Sequence, residues 1–241
     1  MNVIEVEQGT PEWKAARAGK VTASKIVDVM AKLKSGGEAA SRRDYKVQLV
    51  AETLTSMPQD FTFESAEMKW GKEQEPFARA AYELRTGHMV NQIGLVIHPT
   101  IELGAASPDG ITLDPKMEAA LLDGLNEAEE EKLRLLWMKK GMAPCEGLIE
   151  IKCPKTATHI GYLMAGQVPA DYQPQMLWQM ACTGAQWCDF VSFDPRLPEQ
   201  YQLFIKRFMR DEARISAMES EVRQFLAEVA QAITDLQGCA A

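Results

Sequence analysis

The chain has 241 residues, 46% hydrophobic and 25% charged, the balance of a globular protein rather than a disordered one. Its 34 acidic residues outnumber 26 lysines and arginines, and the net charge of −8 excludes a uniformly basic nucleic-acid coat while leaving room for a local basic groove. No run approaches the ~18 apolar residues of a membrane span, the N-terminus lacks the basic-then-apolar pattern of a secretion leader, and Cys145, Cys153, Cys182, Cys188 and Cys239 show no CxxC spacing, which argues against a disulfide framework or a zinc site.

Thr10-Pro11-Glu12 reads as a helix start, with proline in the first turn and an acid against the dipole; the helix runs towards Ala18 and ends at Gly19. A second helix is predicted from Thr22 to about Lys34, stopped by Ser35-Gly36-Gly37, and a third from Ser41 to Thr55. Residues 11 to 50 hold nine basic side chains against four acidic ones, a local surplus of +5 that is either a set of solvated helix faces or a phosphate-facing surface. A long helix from about Ser65 to Arg85, with Trp70, Phe77, Ala81 and Leu84 at helical spacing, stops at Gly87. Met89–His98, Glu102–Ala106 and Gly110–Leu113 then read as short strands, and residues 116 to 140 return to helix. Gly147–Cys153 is a compact strand, Asp171–Gly184 a helix, and Phe190–Phe193 and Tyr201–Phe208 are strands. A last helix begins near Asp211, with Ile215, Met218, Val222, Phe225, Val229, Ile233 and Leu236 in one stripe. The sum is an α/β protein of one domain over residues 1–241, a small mixed sheet flanked by helices, with a helical insertion at 114–146.

Within Leu148-Ile149-Glu150-Ile151-Lys152, strand alternation sends Ile149 and Ile151 to one face and stands Glu150 beside Lys152 on the other. Alone that is an ordinary ion pair, as Ser107-Pro108-Asp109-Gly110 alone is ordinary turn chemistry. Together they suit magnesium, which takes hard oxygen ligands from one or two carboxylates plus water and phosphate. Asp109 and Glu150 would give the carboxylates and the Ile151 carbonyl a third oxygen. Lys152 would stand beside the attacking water in phosphodiester hydrolysis and offset charge on the phosphorane.

The order Asp109…Glu150-x-Lys152 resembles the PD-(D/E)xK nuclease core. With Trp13…Arg17-x-Gly19, Thr22-Ala23-Ser24, Trp70-Gly71-Lys72-Glu73-x-Glu75, Ser107-Pro108-Asp109-Gly110, Glu150-Ile151-Lys152-Cys153-Pro154, Tyr172-x-x-Gln175-x-x-x-Gln179 and the late Phe193-Asp194-Pro195-Arg196, the chain is similar to the lambda exonuclease (YqaJ-like viral recombinase) family over residues 7 to about 196. The resemblance implies a restriction-endonuclease-like mixed sheet. It implies a Mg²⁺-dependent 5′-to-3′ exonuclease, with Mn²⁺ as a substitute, that digests the 5′-ended strand of linear double-stranded DNA to mononucleotides. The 3′ overhang left behind would serve phage-type recombination by strand annealing. It casts Asp109 and Glu150 as metal ligands, Lys152 as the catalytic lysine, Glu75 as a further acidic residue and Gln175 as the glutamine completing the site, and it gives the terminal 5′-phosphate to Arg17, Ser24 and Ser107. It further implies a ring-shaped homotrimer, a single-strand annealing protein as partner, and a cytoplasmic place in a bacterial host with phage or prophage origin.

Two departures stand out. Where the family often has a phosphate-binding arginine this chain has Thr158, with Lys155 or His159 as possible substitutes, and the 41-residue separation of Asp109 from Glu150 is longer than paired strands need. The five tryptophans and the Met176/Met180 pair read as core, Trp137 and Met138 as local packing. The residues also leave open an endonuclease of the same core and a non-catalytic DNA-end-binding module; the intact Asp109, Glu150 and Lys152 argue against the latter.

Overall fold

The computed structural model of the protein describes residues 1–34, 37–59, 65–112, 123–129, 131–132 and 146–239. Helix α1 (Pro11–Arg17) starts as its sequence predicts, with Thr10 Oγ1 accepting the Trp13 N–H at 3.2 Å. The second predicted helix is instead three short pieces: strand β2 (Val21–Thr22), a single 3-10 turn (Ala23–Lys25) and α2 (Ile26–Met30). The β-branched pair Val21-Thr22 is drawn into a sheet beside Gly104 and Ala105, and that pairing overrides helical spacing. Helix α3 (Ala40–Thr55) follows, then α4 (Ala66–Thr86), capped by Ser65 and closed by Gly87.

The stripe read on α4 is displaced by one residue, about 100° of helix rotation. Ala78 and Tyr82 are fully buried, whereas Phe77 is 62% and Leu84 90% exposed. Small Ala78 lets the helix lie close to the sheet, and the Tyr82 hydroxyl reaches Asp189 at 2.9 Å, a partner more than a hundred residues away.

Two mixed sheets are present among the described residues, not the single one expected. One has the order β1-β4-β5-β2, from β1 (Asn2–Ile4), β4 (Leu95–Ile97), β5 (Gly104–Ala106) and β2. The other has the order β3-β6-β7-β8-β9, from β3 (Val90–Asn91), β6 (Gly110–Thr112), β7 (Gly147–Lys152), β8 (Trp187–Phe193) and β9 (Leu203–Met209). The run Met89–His98 thus serves both sheets. It changes sheet around Gly94, where a side chain would meet the Ile4 carbonyl at 2.3 Å.

Strands β7 and β8 pair in parallel and are buried on both faces, as a central parallel pair should be. One face, with Leu148, Phe190 and Cys188, joins the main core under α6 (Gln173–Thr183) and α7 (Glu212–Cys239). The other, with Ile149, Ile151, Val191 and Phe193, packs on Ala78 and Tyr82 of α4. A further helix, α5 (Thr156–Ala165), was not predicted. On α7 the stripe from Ile215 to Val229 is buried as read, while Leu236 is exposed.

Much of the basic surplus in residues 11–50 is answered within the chain. Arg42 makes a two-pronged bond to Glu228 (2.7 and 2.9 Å) and meets Glu38, which with Glu228 also holds Lys46. Arg43 meets Asp44, Lys32 meets Glu221 and Lys25 meets Asp28. No described helix is long and apolar enough to cross a membrane. The expected helical insertion at 114–146 lies for the most part outside the described residues, as do Trp137 and Met138; residues 127–129 are helical.

Candidate active site

Alternation along β7 stands Glu150 and Lys152 on the face towards α6, opposite Ile149 and Ile151. Strand β6 brings Asp109 to them. Gly110 pairs with Ile149, and a side chain at Gly110 would meet Val90 Cγ1 at 2.2 Å, so only glycine lets β6 sit between β3 and β7. Asp109 Oδ2 accepts the Ile151 N–H at 2.7 Å. In an extended strand a residue's N–H and carbonyl point the same way, so the Ile151 carbonyl faces the same side.

Glu150 is fully buried and both of its oxygens accept hydrogen bonds. Lys152 Nζ and Gln175 Nε2 (2.6 Å) donate to Oε1, and Gln179 Nε2 donates to Oε2 at 2.6 Å. Lys152 Nζ also lies 5.3 Å from the centre of the Tyr172 ring. Burial, reinforced by the Glu150 charge and opposed by Lys152, pushes the Asp109 carboxyl up to about 8. Burial works against the charge on Lys152, but Glu150 and Asp109 outweigh it and hold its ammonium above the ordinary lysine range. Two carboxylates forced together in a buried place are the condition a dication relieves. Among the described residues no three His, Cys, Asp or Glu side chains are grouped so as to hold a metal ion.

Glu75, on α4, stands one side chain away. Its Oε1 accepts from Arg79 Nη2 at 2.6 Å, and the same nitrogen donates to the Asp109 backbone carbonyl at 3.3 Å.

The cavity over Asp109, Glu150, Lys152 and Gln175 is also walled by Trp13, Arg17, Thr22, Ser24 and Ser107. Arg17 Nη2 donates to Ser24 Oγ (3.2 Å) and Thr22 Oγ1 (3.3 Å). Gln8 Nε2 donates to the Pro108 carbonyl at 2.8 Å and ties the N-terminal segment to the turn that carries Ser107 and Asp109. Across the Arg17–Ser24 wall a second, open cleft carries Lys14, Lys20 and Lys25, where part of the local basic surplus gathers.

The structure therefore brings Arg17, Ser24, Ser107, Asp109, Glu150, Lys152 and Gln175 to one cavity and sets Glu75 at its side. His159 is not free to replace the missing arginine: it is buried, with Nδ1 against Ser192 Oγ and Nε2 against the Tyr201 carbonyl. Lys155 is exposed and paired with Glu67 at 2.9 Å. Gln179 and Arg79 received no role from the sequence. Each stands four residues beyond an assigned residue, Gln175 and Glu75, on the same helix face, and that spacing was the available signal.

A close carboxylate pair and lysine, on β7 and at the entry to β6 in a mixed sheet with helices on both faces, define a nuclease of restriction-endonuclease-like fold. The YqaJ-like viral recombinase domain matches residues 12–186, and the chain belongs to that family. Two solved structures of an alkaline exonuclease from Laribacter hongkongensis, one in complex with dAMP, are similar at 43% identity and a TM-score of 0.77, over 96% of this chain and 98% of theirs. A phage-related exonuclease from Haemophilus somnus shares the fold at 14% identity and a TM-score of 0.59, over 90% of this chain and 96% of its own. No curated protein matches the chain. The protein is a DNA nuclease of exonuclease type, from a family of metal-dependent nucleases.

Proposed function

We propose that the protein is a Mg²⁺-dependent 5′-to-3′ exonuclease that removes mononucleotides from the 5′-ended strand of linear double-stranded DNA. The observation that carries this reading is that Asp109, Glu150 and Lys152 open into the same cavity as Arg17, Ser24 and Ser107. A strand whose terminal phosphate rested on the second set would present a following phosphodiester to the first, which supports digestion from the 5′ end.

Asp109 and Glu150, with the Ile151 carbonyl, would hold the ion. Bound there, Mg²⁺ supplies a Lewis acid for the phosphoryl oxygen and acidifies water. Lys152 keeps its proton and offers positive charge where charge grows on the phosphorane. Gln175 and Gln179 fix the Glu150 carboxylate so that it does not rotate away. Arg17 presents a planar fork to the terminal phosphate, and Ser24 and Ser107 add hydroxyls. Glu75 and Arg79 hold the flank of Asp109.

The enzyme leaves a 3′ overhang for strand annealing, in the cytoplasm of a bacterium hosting a phage or prophage. A single-strand annealing protein is the partner. A ring-shaped homotrimer around the duplex would gather Lys14, Lys20 and Lys25 towards the DNA and leave the acidic exterior outside. Mn²⁺ substitutes for Mg²⁺.

The test is linear duplex labelled at the 5′ or the 3′ end, with and without Mg²⁺, beside nicked and closed circles. Mononucleotides released from the phosphorylated 5′ end only, with circles intact, are expected. Cutting of closed circles would reassign the site to an endonuclease of the same core. No metal-dependent cleavage would leave an end-binding module. Sedimentation at assay concentration should give three chains per particle.

A further inference from the structure

The tryptophans read as core, yet Trp13 is only partly buried and stands in the wall of the cavity. It touches two of the three residues assigned to the terminal phosphate. Its indole N–H donates to Ser107 Oγ at 2.9 Å, and its ring lies under the Arg17 guanidinium, 3.9 Å from ring centre to Cζ. Arg17 comes from the same helix, Ser107 from a turn more than ninety residues away.

The chemistry of these contacts has a direction. An indole N–H can only donate, so Ser107 Oγ must accept from it, and the serine's own hydrogen is left to point elsewhere. The guanidinium likewise only donates, so Ser24 Oγ accepts from Arg17 Nη2, and the serine's hydrogen can turn either to Thr22 Oγ1, a long 3.5 Å away, or to an anion in the cavity. Stacking covers one face of the guanidinium and keeps its plane, with Nη2 against Thr22 and Ser24, edge-on to the cavity wall. The wall is thus a set of hydroxyls made into donors by donor-only groups behind them, which is what an anion needs and a neutral hydroxyl end uses poorly.

We propose that Trp13 is the positioning residue that sets the demand for a 5′-phosphate: it polarises Ser107 and holds Arg17, and it acts on the phosphate through both. The inference rests on the reading of this wall as the 5′-phosphate site. Its readout is the ratio of digestion rates on 5′-phosphorylated and 5′-hydroxyl duplexes, which a merely structural role would leave unchanged. Trp13→Phe keeps a stacking face and loses the N–H; the ratio should fall about tenfold, the worth of one hydrogen bond to a charged group. Ser107→Ala should lower it comparably, and Trp13→Phe added to Ser107→Ala should lower it no further. Trp13→His, with a flat ring and a ring N–H, should retain more of the preference than Trp13→Phe.

Equal losses on both ends with an unchanged ratio would overturn the proposal, as would effects that multiply in the double variant. A wild-type enzyme with no preference for phosphorylated ends would overturn the phosphate reading itself, and this inference with it. Should Trp13→Phe not fold, the wild-type protein decides. With nitrogen-15-labelled tryptophan, the Trp13 indole N–H resonance should shift on adding a 5′-phosphorylated oligonucleotide and not its 5′-hydroxyl twin, and the shift should vanish in Ser107→Ala. A resonance indifferent to the phosphate overturns the proposal.

Discussion

Glu150 and Lys152 stand on β7 of the five-stranded sheet and Asp109 immediately ahead of the adjoining β6, whereas Arg17, Ser24 and Ser107 come from a helix, a 3-10 turn and a loop around the four-stranded one. The first group is held by charge-assisted bonds centred on Glu150, which has no exposure and a donor on each of its oxygens. The second is open to water and held by one indole, one amide and one stacked face. A low local dielectric makes the first group strong for charge that develops during reaction. On the proposed function, solvent and adaptable hydroxyls suit the second to a DNA end that must move on after every cut. Chemistry and recognition should therefore separate when the two groups are mutated.

The largest effect belongs to the carboxylate–lysine group. Lys152→Ala removes a charge that Glu150 and Asp109 hold in place, and nucleotide release should fall about 10³-fold. Binding to phosphorylated duplex ends, followed by gel shift, should stay within about threefold of wild type, since the wall is untouched. If binding collapses together with cleavage, the two groups are not separable and the comparison fails.

Arg17→Ala should do the reverse. Loss of a fork of charge-assisted bonds costs about 1.5–3 kcal/mol, or about 10- to 100-fold on 5′-phosphorylated ends. The defect should appear in KM and in the phosphate-to-hydroxyl ratio rather than in the metal dependence. An Arg17→Ala enzyme that keeps its full ratio would move the phosphate away from this wall.

The two groups were also unequally legible. Glu150 and Lys152 follow from strand alternation alone, and the structure keeps Ile149 and Ile151 on the opposite face as that alternation requires. Asp109 needed the pairing of β6 with β7, which sequence separation hides behind the long segment between them. The wall could be assembled only from a resemblance, because no local pattern places Arg17 near Ser107. The same distance blinds the reading elsewhere. The α4 stripe was offset because Tyr82 is fixed by Asp189, the helix from Thr22 failed because Val21-Thr22 found a partner at Gly104-Ala105, and α5 was missed altogether. The first two are tertiary partners overriding a local period. Gln179 is the converse case, a helix-spacing neighbour of Gln175 whose role lay in plain periodicity.

The smallest effect lies behind the wall. Helix α3 steadies it: the Tyr45 hydroxyl donates to the Lys20 carbonyl and accepts the Thr22 N–H, and Glu52 accepts the Gly19 N–H at 2.7 Å. Arg42 and Lys46 of α3 are in turn tied to Glu228 of α7. The Arg42 bond, helped by Lys46, holds the Glu228 carboxyl down at about 2. A depressed acid contributes stability that is present above its ordinary value near 4.5 and is lost as pH falls through about 2. Glu228→Gln should therefore lower Tm at neutral pH, by about 2–4 °C for roughly 1 kcal/mol in a partly buried pair, and the gap to wild type should close between pH 5 and 2. Because the change only loosens the support of the wall, the 5′-phosphate preference should move less than about twofold, an order of magnitude less than in Arg17→Ala. A larger drop would mean that the wall's geometry is set from α7 rather than by its own contacts, and Trp13 would lose its place as the element that holds it.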